Sequence, residues 1–318
     1  MIARLTRLMI LFQLLMLALI AVLLRQLELL ENWPLALLAS AAMLTLLRAS
    51  IIFNNFFLSR ALRQCCADGR RPPLAPAAGM MLGEFWFSML CWFRLFPFAR
   101  PFLQVADDDH GCPVLLLHGY GANSGFWRHL QKHLEASRIS HGAIDLEPIL
   151  GSIDEYADRI ETAVARLLEG RSARQVIVVA HSMGGLAARA WLRRYGAASV
   201  ARVITLGTPH AGSLLASYGI GINARQMMPD SAWRADEKHW LSELAAAEDE
   251  SVRALFLSLW SRHDNIVAPQ SSAELPGATN VALDLIGHVA LGFDRRVTVR
   301  VMEEITAVRR SRSSAGNQ

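Results

Sequence analysis

The sequence predicts an α/β domain, with a mostly parallel sheet flanked by helices, behind an N-terminal helical membrane module. Three observations predict this. From residue 112 onward, short β-branched runs alternate with helical stretches and turn residues, the rhythm of a parallel sheet covered on both faces. One strand, QVIVVA at 175–180, runs directly into HSMGG and then into a helical stretch. Much of the apolar excess that brings the 318 residues to 53% hydrophobic lies near the N-terminus.

That length accommodates one full domain with something added. The formal charge of +4 is modest, no Arg/Lys stripe is interleaved with aromatics, and no zinc-finger spacing occurs, so nucleic acid is not an expected partner. Cys65, Cys66, Cys91 and Cys112 have neither the spacing of a disulfide framework nor that of a metal site.

Residues 8–24, LMILFQLLMLALIAVLL, carry no charge and are interrupted only by Gln13. Such a run is long enough for a helix across an adjusted bilayer core. A cleaved signal peptide would continue with small residues, whereas this run continues with Arg25, Gln26, Leu27 and Glu28. A second run, WPLALLASAAMLTLL at 33–47, opens with Pro34, whose missing N–H costs nothing in a first helical turn. It extends through Ile51, Ile52, Phe53, Phe56 and Phe57, with Arg48, Asn54 and Asn55 as interruptions. The pair reads as a membrane hairpin; one span followed by an interfacial or buried helix is the alternative. For the hairpin, Arg4 and Arg7 before it, and Arg48, Arg60, Arg63, Arg70 and Arg71 after it, place both ends and the following domain on the cytoplasmic side of an inner membrane; a single span, or a third one, would place that domain on the other side.

The module is therefore expected over 1–69, followed by a connecting segment over 70–109. RRPPLAPAAG at 70–79 reads as a linker. GEFWFSMLCWFRLFPF at 83–98 reads first as an interfacial helix, with a third span or a flank packed on the α/β core as alternatives. The α/β domain is expected over 110–308, and Arg309, Arg310 and Arg312 mark a basic tail over 309–318, read as a solvated end.

Within that domain, Val114–Leu117 is the first buried strand and a shorter one falls near Ala143–Leu146. A helix over 153–169 sets Ile160, Val164, Leu167 and Leu168 on one side. QVIVVA then delivers His181, Ser182, Met183, Gly184 and Gly185, with a helix over 186–195. A strand, a tight turn with serine at its apex, and a helix form an arrangement that projects a hydroxyl out of the sheet, and small residues let strand and helix approach.

At this point the chain resembles the α/β-hydrolases, and among them bacterial triacylglycerol lipases and related membrane-associated lipase-like proteins. Their G-x-S-x-G pattern reads AHSMG here, with Ala180 in place of the first glycine. The resemblance covers about residues 110–305. It implies an α/β-hydrolase fold with Ser182 as nucleophile, and an oxyanion hole made by the amides of Met183 and of Tyr120 in the HGYG segment at 118–121. His118 is then structural. In TPHAGS, residues 208–213, His210 is architectural, since the family order is serine, acid, histidine. The acid and base are expected after later strands. Asp264 lies beyond ALFLSLW at 254–260, and His288 follows the strand at 280–285 and Gly287. Asp284, inside that strand, is the rival acid.

Residues 213–250 are long for a plain connection and read as a small helical cap, with Leu214, Leu215 and Tyr218 as substrate-binding residues. The expected activity is a membrane-associated serine esterase or lipase hydrolysing carboxylic esters, lipidic ones foremost, without metal or organic cofactor, with membrane lipids as partners. An acyltransferase or thioesterase using the same triad, and a non-catalytic membrane scaffold with a hydrolase fold, are the alternatives. The sequence carries no sign of oligomeric state.

Overall fold

The computed structural model describes residues 1–61, 74–106, 109–232 and 239–315. Cys65, Cys66, Arg63, Arg70, Arg71 and Trp233 lie outside them. The centre is a seven-stranded sheet: β1 (Phe102–Gln104), β2 (Val114–Leu117), β3 (His141–Ile144), β4 (Val176–His181), β5 (Val200–Leu206), β6 (Phe256–Ser261) and β7 (Thr279–Leu283). Their spatial order is β1-β3-β2-β4-β5-β6-β7. Only β1 is antiparallel to its neighbour; the other pairings are parallel.

Strands covered on both faces carry unbroken apolar runs, because alternate residues serve two different cores. Val114, Leu116, Ile177, Val179, Ile204 and Leu257 feed one core, with Leu130 and Leu134 of α4 (Arg128–Ala136) and Val297, Val301 and Ile305 of α10 (Arg295–Ala315). Leu115, Leu117, Val178, Ala180 and Val203 feed the other. There they meet α5 (Tyr156–Leu168) through Ile160, Val164 and Leu167, and α6 (Met183–Tyr195) through Leu186 and Trp191. The expected α/β layering is present, with strand edges within a few residues of those read from the sequence.

Three boundaries differ. β1 falls inside the segment assigned to the connection, so the sheet begins at 102 rather than after 110. α3 (Leu74–Leu90) begins within the stretch read as a linker, and a π turn (Cys91–Leu95) and a 3-10 turn (Phe96–Phe98) continue it. Pro76 is compatible with that start because first-turn N–H groups have no intrahelical acceptor. α10 continues to Ala315, past the point where a solvated tail was expected, and Arg309 pairs with the buried Asp109 and donates to the Cys112 carbonyl (2.6 Å).

α1 (Ile2–Gln26) and α2 (Trp33–Ala61) pair as a hairpin through the turn at 27–32. Packed together across so short a turn, the helices run antiparallel, and Met9 and Met16 of α1 border one apolar groove with Leu44 and Ile52 of α2. Each is long and apolar enough to cross a membrane, with mean hydropathy 2.5 and 2.0 over its most apolar window. Their outer faces stay exposed, including Leu11, Phe12, Leu15, Leu38 and Leu46. The start of α1 docks on the α/β domain: Ile2 joins its core, beside Phe96 of the 3-10 turn, and the Met1 ammonium pairs with Glu147. α3, with buried Glu84 and Ser88, packs as a flank on the domain.

The segment read as a cap, 213–250, contains a 3-10 turn (Leu214–Tyr218), α7 (Ile222–Gln226), a 3-10 turn (Asp230–Ala232) and α8 (Trp240–Ala246), and α9 (Glu250–Ala254) begins at its end. It is clamped to α6 by a buried two-pronged ion pair. Arg189 Nε and Nη2 donate to Glu248 at 2.6 and 2.8 Å, and Arg189 Nη1 donates to the His210 carbonyl at 3.0 Å.

Candidate active site

The residues singled out in the sequence gather at the C-terminal ends of the parallel strands, the edge where open α/β sheets place their ligands. Ser182 follows β4 and adopts φ 54°, ψ −127°. A non-glycine residue there is strained, and such strain persists only when its surroundings dictate it. Here they do. Ser182 N–H donates to the Leu206 carbonyl (2.9 Å), and its own carbonyl accepts from Thr208 Oγ1 (2.8 Å) and from Gly185 N–H (3.0 Å). A Cβ on Gly184 would sit 2.6 Å from the Leu117 and His118 carbonyls, and one on Gly185 would sit 2.1 Å from Thr208 Oγ1. The glycines are what allow helix and strand to meet this closely. Ala180, the departure from the family pattern, points into the core and is accommodated there.

Met183 is the first residue of α6, so its N–H has no intrahelical acceptor. Tyr120, in the loop after β2, lines a cavity that Ser182 also lines. That loop is shaped by His118, which is fully buried and held neutral by that burial. Its Nδ1–H donates to the Gly119 carbonyl (2.9 Å), and its Nε2 accepts from Leu146 N–H (2.9 Å). A Cβ on Gly119 would fall 2.8 Å from Ser182 Cβ, so the loop approaches the serine as closely as a glycine permits.

Asp264 and His288 come together as the sequence order implies. His288 Nδ1–H donates to Asp264 Oδ2 at 2.8 Å, with both side chains buried. Asp264 Oδ1 accepts from the Ile266 and Val267 amides, both at 2.8 Å, which fixes the carboxylate. Burial alone would lower the His288 pKa; the charge and hydrogen bond of Asp264, with the charge of Glu84, outweigh it and hold the ring above its ordinary value. His181, beside the serine, is pushed well below its ordinary value by burial and by the His288 charge. It stays neutral, and its Nε2–H donates to the His288 carbonyl (3.0 Å). This bond ties the histidine loop to the serine turn.

The rival assignments are placed elsewhere. Asp284 is exposed and pairs with Arg262 (3.0 Å). His210 is buried against Thr205 (3.2 Å). Leu215 and Tyr218 line a cavity of about 550 Å³ that reaches Ser182, together with Met227 and Val267. Leu214 does not line it; its N–H turns to the Ala268 carbonyl (2.8 Å). Three residues of the cavity wall, Asn54, Asn55 and Leu58, come from α2. In the sequence the asparagines look like interruptions of an apolar run, and nothing local relates them to Ser182.

Residues 113–255 match a family model described as alpha/beta hydrolase fold. This is an α/β-hydrolase fold. The chain is similar to a triacylglycerol lipase of Burkholderia plantarii, 30% identical in a 161-residue alignment that covers 46% of this chain. The match spans only 39% of that relative's length. Among solved structures, the mature form of the Bacillus licheniformis lipase BlEst2 aligns with 20% identity and a TM-score of 0.55, covering 65% of this chain and 98% of that one. Its propeptide form aligns with 19% identity and a TM-score of 0.54, over 65% and 53% of the two chains. At that identity the likeness speaks for the hydrolase fold alone.

Proposed function

We propose that the chain is a membrane-associated serine esterase or lipase that hydrolyses lipidic carboxylic esters through Ser182, His288 and Asp264. The observation that carries this reading is the strained Ser182 backbone at a strand-to-helix turn, with a buried His288–Asp264 pair tied to that turn through His181. The similarity to a triacylglycerol lipase points to the same bond class.

In this reading the His288 ring nitrogen not engaged by Asp264, Nε2, takes the proton of the Ser182 hydroxyl as Oγ attacks the acyl carbonyl. Asp264 holds the ring in the tautomer with hydrogen on Nδ1 and stabilises the imidazolium that forms. The amides of Met183 and Tyr120 receive the oxyanion, each donor contributing a few kcal/mol, on the order of 3. The imidazolium then protonates the leaving alcohol. Water, deprotonated by the same ring, releases the acid from Ser182.

Two features favour a lipidic ester. α2 contributes Asn54, Asn55 and Leu58 to the cavity wall, so a helix apolar enough to span a bilayer ends at the site. Tyr218, Ile220 and Ile222 on the cap are 76%, 68% and 57% exposed, beside exposed Leu150, an apolar surface at the cavity rim suited to lipid rather than water. With α1 and α2 as a spanning hairpin, the positive flanks put the hydrolase domain on the cytoplasmic face.

The test is turnover of matched short-chain, long-chain and phospholipid esters in liposomes by the wild type and by Ser182→Ala. Long-chain or phospholipid turnover lost in the variant supports the reading. Turnover of short soluble esters alone removes the lipid assignment, and no ester turnover by folded protein removes the hydrolase assignment.

A further inference from the structure

A second buried carboxylate lies behind the base, and it comes from the N-terminal segment. Glu84 of α3 is 1% exposed. Its Oε1 accepts from Val289 N–H at 3.0 Å and its Oε2 from Ala290 N–H at 2.9 Å. These are the first two amides of the 3-10 turn (Val289–Gly292) that follows His288, donors with no acceptor inside the turn. The two residues are separated from Glu84 by more than two hundred positions, so this is a tertiary clamp rather than a local cap.

The packing around it is arranged for that contact. A Cβ on Gly287 would fall 2.4 Å from Glu84 Oε2 and 2.8 Å from its Cβ, so only glycine leaves room for the carboxylate beside the base. One turn further along α3, Phe87 stacks on Phe293 with centroids 4.8 Å apart and planes 7° from parallel. His288 itself is held at both backbone groups: its N–H donates to Asn265 Oδ1 (2.9 Å), and its carbonyl accepts from His181. Glu84 adds a third tie, at the turn that follows His288. A buried carboxylate is costly and would be replaced by an apolar contact unless its charge or its two acceptors were used.

We propose that Glu84 is a positioning residue for His288, fixing the loop that carries the base and setting a second negative charge behind the imidazole. The proposal rests on the reading of His288 as the general base. The ionisable groups facing this arrangement are Asp264 and His181 at the imidazole, and Cys91 beside Glu84. Burial raises the Glu84 pKa while the Val289 and Ala290 amides and the His288 charge oppose the rise; Glu84 in turn raises His288. A carboxylate that only capped the turn would contribute stability and leave the titration of the base where it was.

The experiment is the pH dependence of kcat/KM for the full chain in detergent or liposomes, for wild type, Glu84→Gln, Gly287→Ala and Ser182→Ala. Glu84→Gln keeps the shape, removes the charge and turns an amide N–H toward one of the two donors. Its kcat is expected to fall on the order of tenfold to a hundredfold with KM little changed, as for a displaced catalytic group. Its acid limb is expected to move to lower pH, because loss of a neighbouring negative charge favours the neutral imidazole. Gly287→Ala, which drives the carboxylate away from the loop, is expected to shift the limb in the same direction. A folded Glu84→Gln protein with an unmoved acid limb overturns the proposal; if that variant does not fold, an unmoved limb in Gly287→Ala overturns it. Absence of turnover in the wild type, or undiminished turnover in Ser182→Ala, overturns the triad and this role with it.

Discussion

Nδ1 of His288 donates to Oδ2 of Asp264 across 2.8 Å in a buried site where the other oxygen of the carboxylate is already occupied by two backbone amides. The carboxylate that holds the His288 ring is thus itself fixed by the backbone. Asp264→Asn keeps the shape but presents an acceptor-poor amide to the ring and favours the wrong tautomer. Its kcat is expected to drop about a thousandfold or more at neutral pH, with KM changed little. Steady-state kinetics on one ester checks this. In the proposed mechanism His288 must be neutral to accept the serine proton, and Asp264 and Glu84 hold its pKa above the ordinary histidine value. Activity should therefore decline on the acid side from a pH above that value, and the limb should move down in Asp264→Asn.

The serine turn depends on glycines packed against fixed neighbours. Gly185→Ala places a methyl 2.1 Å from Thr208 Oγ1, the hydroxyl that holds the Ser182 carbonyl. We expect a destabilisation of about 1–3 kcal/mol, typical of overpacking, together with a loss of kcat because the elbow moves. Chemical denaturation and kinetics on the same sample separate the two effects. An alanine variant of wild-type stability and rate would contradict the packing argument.

The cap should detach when its clamp is cut. Glu248→Gln leaves the Arg189 guanidinium buried beside an uncharged partner, which costs on the order of 3–5 kcal/mol for an uncompensated buried charge. The expected result is a lower urea midpoint. Replacing both residues with apolar ones of similar volume should recover much of the loss.

At the far edge of the domain, burial would raise the Asp109 pKa, but hydrogen bonds from Arg309 and from the Ser140 amide, with the Arg309 charge, outweigh burial and lower it. A depressed folded-state pKa means stabilisation present above the unfolded value and lost as pH falls through the folded one. The wild type should therefore lose stability below about pH 4, the ordinary aspartate range, more steeply than Asp109→Asn, as seen by thermal melts across acid pH.

The parts of this fold that were legible in the sequence are those fixed by short-range patterns. Val114–Leu117 and QVIVVA announce doubly covered strands, and the small residues around Ser182 announce a turn too tight for larger ones. β1 carries no such mark, because its three residues form a largely exposed antiparallel edge just after the aromatic stretch, with no buried run. The start of α3 was hidden by prolines that read as a linker, although a proline in a first turn is tolerated. The features that connect the two parts of the chain left no local signal. Asn54 and Asn55 meet the cavity of Ser182, and Glu84 meets Val289 and Ala290, through tertiary packing alone. The buried Arg189–Glu248 pair is another case, since neither residue departs from its surroundings in the sequence.

The central claim is that Ser182 is an activated nucleophile. The most direct measurement is covalent labelling of the detergent-solubilised full chain with a fluorophosphonate, followed by peptide mass mapping. The account predicts one adduct, on Ser182, formed rapidly in the wild type, absent in Ser182→Ala and strongly slowed in His288→Ala. Folded wild-type protein that takes no label, or an adduct of undiminished yield in Ser182→Ala, would contradict it.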